Sequence, residues 1–180
     1  YEYPELRRYL ATLGELKPDG IIVADLGVMT EAKKLIPHIP LHVSTQTSIV
    51  SPAAALAYAS LGATRLVLAR ELSLDEVKAI RAELDPKVEL EAFVHGSMCV
   101  SYSGRCMLSN QFTGRDANRG GCAQPCRLPY KICGTADNPA EYPLSLKDMC
   151  LASHMREIML SGVTSLKIEG RQKSADYVYG

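Results

Sequence analysis

The sequence predicts an α/β fold: a (β/α) barrel of the TIM type that is partial, with its first strands missing, and that carries a cysteine-rich insert after one strand. Three observations predict it. Short apolar runs alternate with helical segments along 180 residues. Polar residues stand at the C-terminal end of every predicted strand, and all six cysteines fall after residue 98. The alternative arrangement of the same elements is a doubly wound open sheet.

The chain opens without Met on YEYPELRRYL, a helical pattern, so a partial or processed chain that begins inside a helix is expected. A unit of helix end, small turn, apolar strand and charged residues then recurs. It appears as KPDG-IIVAD at 17–25, LGAT-RLVLARE at 61–71 and SGVT-SLKIEGR at 161–171. Gly20, Gly62 and Gly162 occupy the turns, where a helix C-cap needs a residue without Cβ strain. LHVSTQT (41–47), VELEAFVHG (88–96) and YPLSLKD (142–148) are the further strands. Such near-continuous apolar runs suit a parallel sheet covered on both faces.

Between the strands, Ser73-Leu-Asp-Glu76 is a capping box, followed by Leu74, Val77, Ile80 and Leu84 at helical spacing. Asp148 is expected to cap a helix whose buried stripe is Leu151, Met155, Ile158 and Met159. Six strands joined by right-handed parallel crossovers give an eight-stranded barrel lacking two. The chain divides into the first part of the barrel (1–98), the insert (99–140) and the last βα units (141–180), all one domain.

Composition fits an ordinary soluble protein, 47% apolar and 22% charged. No apolar run approaches the ~20 residues of a membrane span, and no secretory signal is visible, so a cytoplasmic protein is expected. The net charge is zero but unevenly spread. Residues 1–98 hold 10 Lys/Arg against 13 Asp/Glu, and residues 99–180 hold 10 against 7. Between 99 and 133, Arg105, Arg115, Arg119, Arg127 and Lys131 face only Asp116. This excess suits a phosphate backbone or an anionic small molecule, and equally a solvated loop.

In a barrel, chemistry gathers at the C-terminal strand ends. Those ends carry Asp25, Ser44, Gln46, Arg70, Glu71, His95, Lys147, Asp148, Glu169 and Arg171. Each could cap a helix or pair with a neighbour; six strands ending this way in succession favour an active-site rim. Gln46, Arg70, His95, Lys147, Glu169 and Arg171 are therefore the candidate catalytic residues, with Glu91 deeper on the face of His95 and paired with Arg70 or Lys167.

The cysteines, Cys99, Cys106, Cys122, Cys126, Cys133 and Cys150, cluster in a Gly-, Arg- and Asn-rich region, which suggests ligation rather than core packing. The spacings C-x6-C, C-x15-C and C-x3-C allow an iron–sulfur cluster held by four thiolates, a zinc site, or redox and structural cysteines. Hydrolytic signatures are missing: there is no GxSxG and no HExxH, and of four histidines only His42 and His95 adjoin strand ends.

The run Glu91-Ala-Phe-Val-His-Gly-Ser-Met-Cys99-Val-Ser-Tyr-Ser-Gly104-Arg-Cys106-Met-Leu-Ser109 resembles the signature of the collagenase-like peptidase family U-32. That signature is E-x-F, two residues, G-S, an aliphatic, C, then G-x-C and an aliphatic before Ser. NQFTGRDANRGGCAQPCR (110–127), SLKDMC (145–150) and SLKIEGRQKSADYV (165–178) resemble later blocks, and HVSTQ (42–46) and LARELS (68–73) earlier ones. The likeness covers nearly the whole chain and is strongest to the branch with bacterial tRNA hydroxylation proteins.

The resemblance implies a TIM-type barrel, and either collagenase-like proteolysis or cluster-dependent hydroxylation of RNA, with prephenate as co-substrate in the tRNA branch. It implies a [4Fe–4S] cluster, with zinc as the alternative, on Cys99, Cys106, Cys122 and Cys126, and Cys150 in reserve. Cys133 matches no family position. Arg115, Arg119 and Arg127 are then expected to contact tRNA or other RNA; a protein substrate is expected if the activity is proteolytic, and a scaffold role is the third reading.

Overall fold

The computed structural model describes residues 2–131, 141–170 and 173–179. Helix α1 (Tyr3–Leu16) leads to β1 (Ile21–Val23), α2 (Leu26–Leu35), β2 (Leu41–Val43), α3 (Pro52–Ser60), β3 (Arg65–Val67), α4 (Leu74–Glu83) and β4 (Glu89–Gly96). After the insert, which contains α5 (Leu108–Thr113), come β5 (Met149–Cys150), α6 (Met155–Leu160), β6 (Ser165–Glu169) and α7 (Ala175–Tyr179).

Strands β1 to β4 are parallel neighbours in chain order, and β6 adds in parallel to the far edge of β4. The two-residue β5 pairs antiparallel with His95 and Gly96, beyond the end of β3. The α/β architecture is as the sequence predicts, but the sheet is mixed and open. Among the described residues β1 and β6 do not pair, so the expected barrel closure is not observed. Five parallel strands fall short of the eight that close such a barrel.

Alternation along the strands divides the sheet into two unlike faces. Leu41, Val43, Leu66, Leu68, Leu90 and Val94 join Leu10, Met29, Ala32, Ile36 and Ile80 in one core beneath the helices. The opposite face is mixed, and most of its side chains are polar. One register row runs Ile22, His42, Arg65, Glu89, and the next polar pair is Glu91 with Ser165. The expectation of a sheet apolar on both faces is thereby corrected: this second face carries His42, Arg65, Glu89, Glu91, Ser165 and Lys167 among the apolar Ile22, Val67 and Phe93.

Local signals behave unevenly. The capping box forms in full, Ser73 receiving Glu76 N–H and Glu76 receiving Ser73 N–H at 2.7 Å, and Val77, Ile80 and Leu84 are buried as predicted. Gly62 and Gly162 have the left-handed φ expected of them, +96° and +93°. Gly20 does not; a Cβ there would meet the His42 ring at 2.7 Å. Residues 142–148 form turns and loop rather than a strand. Asp148 caps no helix, because its carboxylate is occupied by Lys173 at 2.6 Å, Tyr177 at 3.1 Å and Ser97 at 3.3 Å. Helix α6 starts later, at Met155, with Ile158 buried and Met159 exposed.

Candidate active site: a cysteine-lined cavity at the strand ends

The insert folds back over the C-terminal ends of β2, β3, β4 and β6 and forms with them an open cavity of about 400 Å³. Cys99, Cys106, Cys122 and Cys126 all line it, together with Gln46 and Arg70 beyond β2 and β3, Phe93 from β4 and Glu169 from β6. Three of the predicted rim residues therefore share one space with the four predicted ligands.

Close backbone approach holds the insert in place. Gly96 has φ +107°, and a Cβ on it would lie 2.1 Å from the Glu169 carbonyl oxygen. Gly104, φ +72°, sits so near Gln46 that a Cβ would come within 1.9 Å of its carbonyl oxygen. Between Cys99 and Cys106, the wholly buried Ser103 is the anchor. Its N–H donates to Glu71 Oε1 at 2.9 Å, and its Oγ lies 3.3 Å from Arg70 Nε and 3.2 Å from Glu71 Oε1. Ser48 donates to the Ser103 carbonyl. The Cys99–Cys106 turn is thus tied to the same groups that orient Arg70.

The remaining cysteines sit on short turns. Asp116 accepts Asn118 N–H, and Asn118 Nδ2 donates to the Cys106 carbonyl at 2.9 Å. Cys122 Sγ accepts the Gln124 N–H at 3.4 Å, with Ser109 Oγ 3.8 Å away. Burial pushes the Cys126 thiol up; Arg127 opposes this, while Cys99, Cys122 and Cys106 push it further up. Gathered thiolates repel one another, and a bound metal reverses that penalty. All five described cysteines are free thiols. Among the described residues, no three His, Cys, Asp or Glu side chains group closely enough to hold a single metal ion.

Beneath the cavity, Phe93 is flanked by Arg70 at 5.9 Å and Lys167 at 5.4 Å from its ring centre. Deeper still, Glu91 receives Lys167 at 3.0 Å, Arg65 at 3.2 Å and Ser165 at 2.8 Å. Burial would raise the Glu91 carboxyl; hydrogen bonds from Ser165 and Lys167 and the charges of Lys167 and Arg65 outweigh it and hold the group below the ordinary glutamate value. Of the two partners expected, Lys167 pairs with it; Arg70 does not, its place being taken by Arg65.

Other predicted residues lie elsewhere. The β4–β6 register shifts between Phe93 and His95, and such a bulge re-aims side chains. His95 accordingly stands beside Tyr177, ring centres 5.5 Å apart, and does not line the cavity. Cys150, its partner across β5, and the exposed Lys147 are also outside the lining. Arg171 and Cys133 lie outside the described residues. Of the basic residues, Arg115 is exposed and Arg119 pairs with Glu2 at 2.7 Å. Arg127 is a clasp: it donates to Ser145 Oγ at 2.8 Å and to the carbonyls of Leu146 and Met98 at 2.6 and 2.7 Å. Sequence reasoning gave no role to Ser103, Phe93 or Arg65, although Ser103 and Phe93 stand inside the quoted motif.

An α/β scaffold whose strand ends carry a cavity walled by thiols, an arginine and a carboxylate has the layout of an enzyme site. The chain belongs to peptidase family U32, whose model matches residues 1–180. It is 40% identical to tRNA hydroxylation protein P1 of Bacillus subtilis, over 96% of this chain and 43% of that protein. It is also 40% identical to a 23S rRNA 5-hydroxycytidine synthase of Escherichia coli, over 98% of this chain and 27% of that one. The chain thus spans less than half the length of either relative. A solved U32 peptidase shares the fold, with a TM-score of 0.59 and 22% identity over 96% of this chain and 63% of that chain.

Proposed function

We propose that this chain carries the cofactor-binding and substrate-facing part of an enzyme that hydroxylates a base of RNA, tRNA uridine above all. The observation that carries the reading is the convergence of Cys99, Cys106, Cys122 and Cys126 with Gln46, Arg70 and Glu169 on one cavity. Similarity to proteins named for tRNA hydroxylation and rRNA hydroxycytidine synthesis supports it.

A [4Fe–4S] cluster suits this donor set, because four free thiols line one cavity, one for each iron. Cys99, Cys106, Cys122 and Cys126 would hold the cluster, with the hydrogen bonds to Cys122 sulfur tuning it, and Cys150 stays apart. Such a cofactor supplies redox chemistry that side chains lack. The chain's own residues bind and orient. Arg70, its Nε directed by Ser103, suits the carboxylates of a small anionic co-substrate such as prephenate, and Gln46 and Glu169 supply neighbouring polar groups. Closure of the sheet into a full barrel by further strands belongs to this reading, as does a cytoplasmic setting, where thiols stay reduced.

Proteolysis is less well supported, since the one histidine inside the quoted motif, His95, faces Tyr177 rather than the cavity. The test is anaerobic purification with iron and sulfide analysis, alongside analysis of tRNA nucleosides from a strain dependent on the gene. About four irons per chain are expected, lost in Cys99→Ala, Cys106→Ala, Cys122→Ala and Cys126→Ala but kept in Cys133→Ala and Cys150→Ala. One zinc and no iron would overturn the cofactor. Peptide cleavage by iron-free protein, with tRNA unmodified, would overturn the reaction.

A further inference from the structure

In an α/β repeat each strand is ordinarily covered by the helix that follows it. After β4 the chain enters the insert instead, and α5 packs mainly on the insert's own turns. The helical layer between α4 and α6 is therefore incomplete, and an open pocket of about 110 Å³ remains there. Leu68, Val77, Ala92, Leu151, Ile158 and Val163 are among its walls. Close-packed interiors leave few spaces larger than a water, and a water in this one would find few polar partners. An apolar cavity of about 150 Å³ takes a benzene ring, so this pocket matches one small ring or a short branched chain.

One charged residue borders the pocket, Arg70, and it borders the cysteine-lined cavity as well. Phe93 belongs to both walls too, with the Arg70 guanidinium 5.9 Å from its ring centre. Arg70 is half-buried, and its Nε donates to Ser103 Oγ at 3.3 Å. Among the described residues its Nη1 and Nη2 have neither a hydrogen-bond partner nor an ion pair. The neighbouring Glu71 turns its carboxylate to the Ser103 N–H at 2.9 Å, and Glu169 lines the cysteine cavity but not this pocket. A guanidinium with its outer fork open at the edge of an apolar space is suited to a carboxylate that carries an apolar body.

We propose that the pocket between α4 and α6 is a subsite for the uncharged body of a small carboxylate, whose charged end Arg70 holds at the boundary between the two spaces. The cysteine-lined cavity is thereby left to the other substrate. The ligand class is a carboxylate with an apolar body of about six carbons, the size of a single ring. Small hydrophilic anions gain nothing from such walls, so the pocket selects among anions that Arg70 alone would treat alike. The inference rests on the assignment of Arg70 to a small anion above; it adds where the rest of that anion lies and which residues choose it.

The test is isothermal titration calorimetry of the purified protein with benzoate, acetate and benzamide. Benzoate should bind about ten- to a hundredfold more tightly than acetate, the effect of burying one ring. Arg70→Gln should abolish the advantage of benzoate over benzamide, the same ring without the charge. Ala92→Leu fills the pocket without touching Arg70, and Leu151→Phe fills it from a second position; each should bring benzoate down to the level of acetate. Leu108→Phe narrows the cysteine-lined cavity alone and should leave the preference for benzoate intact. Equal affinity of the wild type for benzoate and acetate would overturn the proposal. So would a preference that survives both fillers, or one lost in Leu108→Phe instead, which would put the ring in the cysteine-lined cavity. If both fillers melt well below the wild type, the space is already occupied by the protein's own side chains and the subsite is refuted. A selective subsite in a protein that leaves tRNA unmodified would refute the hydroxylation reading while leaving the subsite standing.

Discussion

Replacing Glu91 with Gln keeps the side-chain shape and removes the charge on which three donors converge. The Glu91 side chain is only 9% exposed, whereas Arg65 and Lys167 are each 27% exposed. Breaking a fully buried pair from one side costs about 3–5 kcal/mol, because the partner is left charged and dry. Here both cations reach water in part, and Arg65 keeps Glu89 at 2.6 Å, so the cost is lower, about 2–3 kcal/mol. For a chain of this size that corresponds to a fall of roughly 4–12 °C in Tm. Thermal melting followed by circular dichroism, with urea titration as a second measure, reads it directly. Glu89→Gln makes the same change of charge on a side chain 45% exposed and should cost less than about 1 kcal/mol. If Glu91→Gln melts within about 1 °C of the wild type, or no lower than Glu89→Gln, the inner-face network does not hold the strands as argued.

Gly104→Ala should dislodge the insert, since its Cβ would overlap the Gln46 carbonyl; proteolysis between residues 99 and 107 should accelerate and iron should be lost. Gly114→Ala has a similar φ, +69°, but open space around it, so it should cost only about 1–2 kcal/mol and keep the iron. Stability should fall on acidification in two stages. His42 is held low by burial and by the charge of Arg65, so the unfolded imidazole takes a proton near ~6.5 while the folded one does not, and stability declines below that pH. The contribution of Glu91 is complete above the unfolded value of ~4.3 and disappears as pH falls through its lower folded value. Urea midpoints from pH 8 to 3 check both; Glu91→Gln should shrink the lower stage, to which Glu31, Asp75, Glu76 and Asp148 also contribute, and a flat profile would contradict both assignments.

The helix-facing half of the fold was plain in the sequence because local signals and burial agree there. Leu41, Val43, Leu66 and Leu90 are apolar and buried, and the Ser73–Glu76 box needs only residues three apart. The other half was less plain. His42, Arg65 and Glu89 look like scattered polar interruptions along the chain, and only strand register aligns them into one row. Asp148 carries a cap's chemistry, yet partners 25 and 29 residues away claim it. Arg127 shows the same limit: charge in a loop looks alike whether the guanidinium faces solvent or clasps three acceptors. His95 fits the rim in sequence, but alternation alone could not foresee a register shift two residues before it. The gathering of Cys99, Cys106, Cys122 and Cys126 on one cavity was legible because all four stand within one short insert.

Ser103 touches Arg70 on one side and, through its own backbone, continues into Gly104, Arg105 and Cys106 on the other. The two binding events of the proposed function would thereby meet at one hydroxyl. Whatever grips the cysteine turns also narrows the range open to Arg70, and an anion that grips Arg70 stiffens the cysteine turns in return. Thermodynamic reciprocity requires the two effects to be equal in size. If the proposed cluster is bound there, its loss should therefore cost discrimination among anions, and a well-chosen anion should slow that loss.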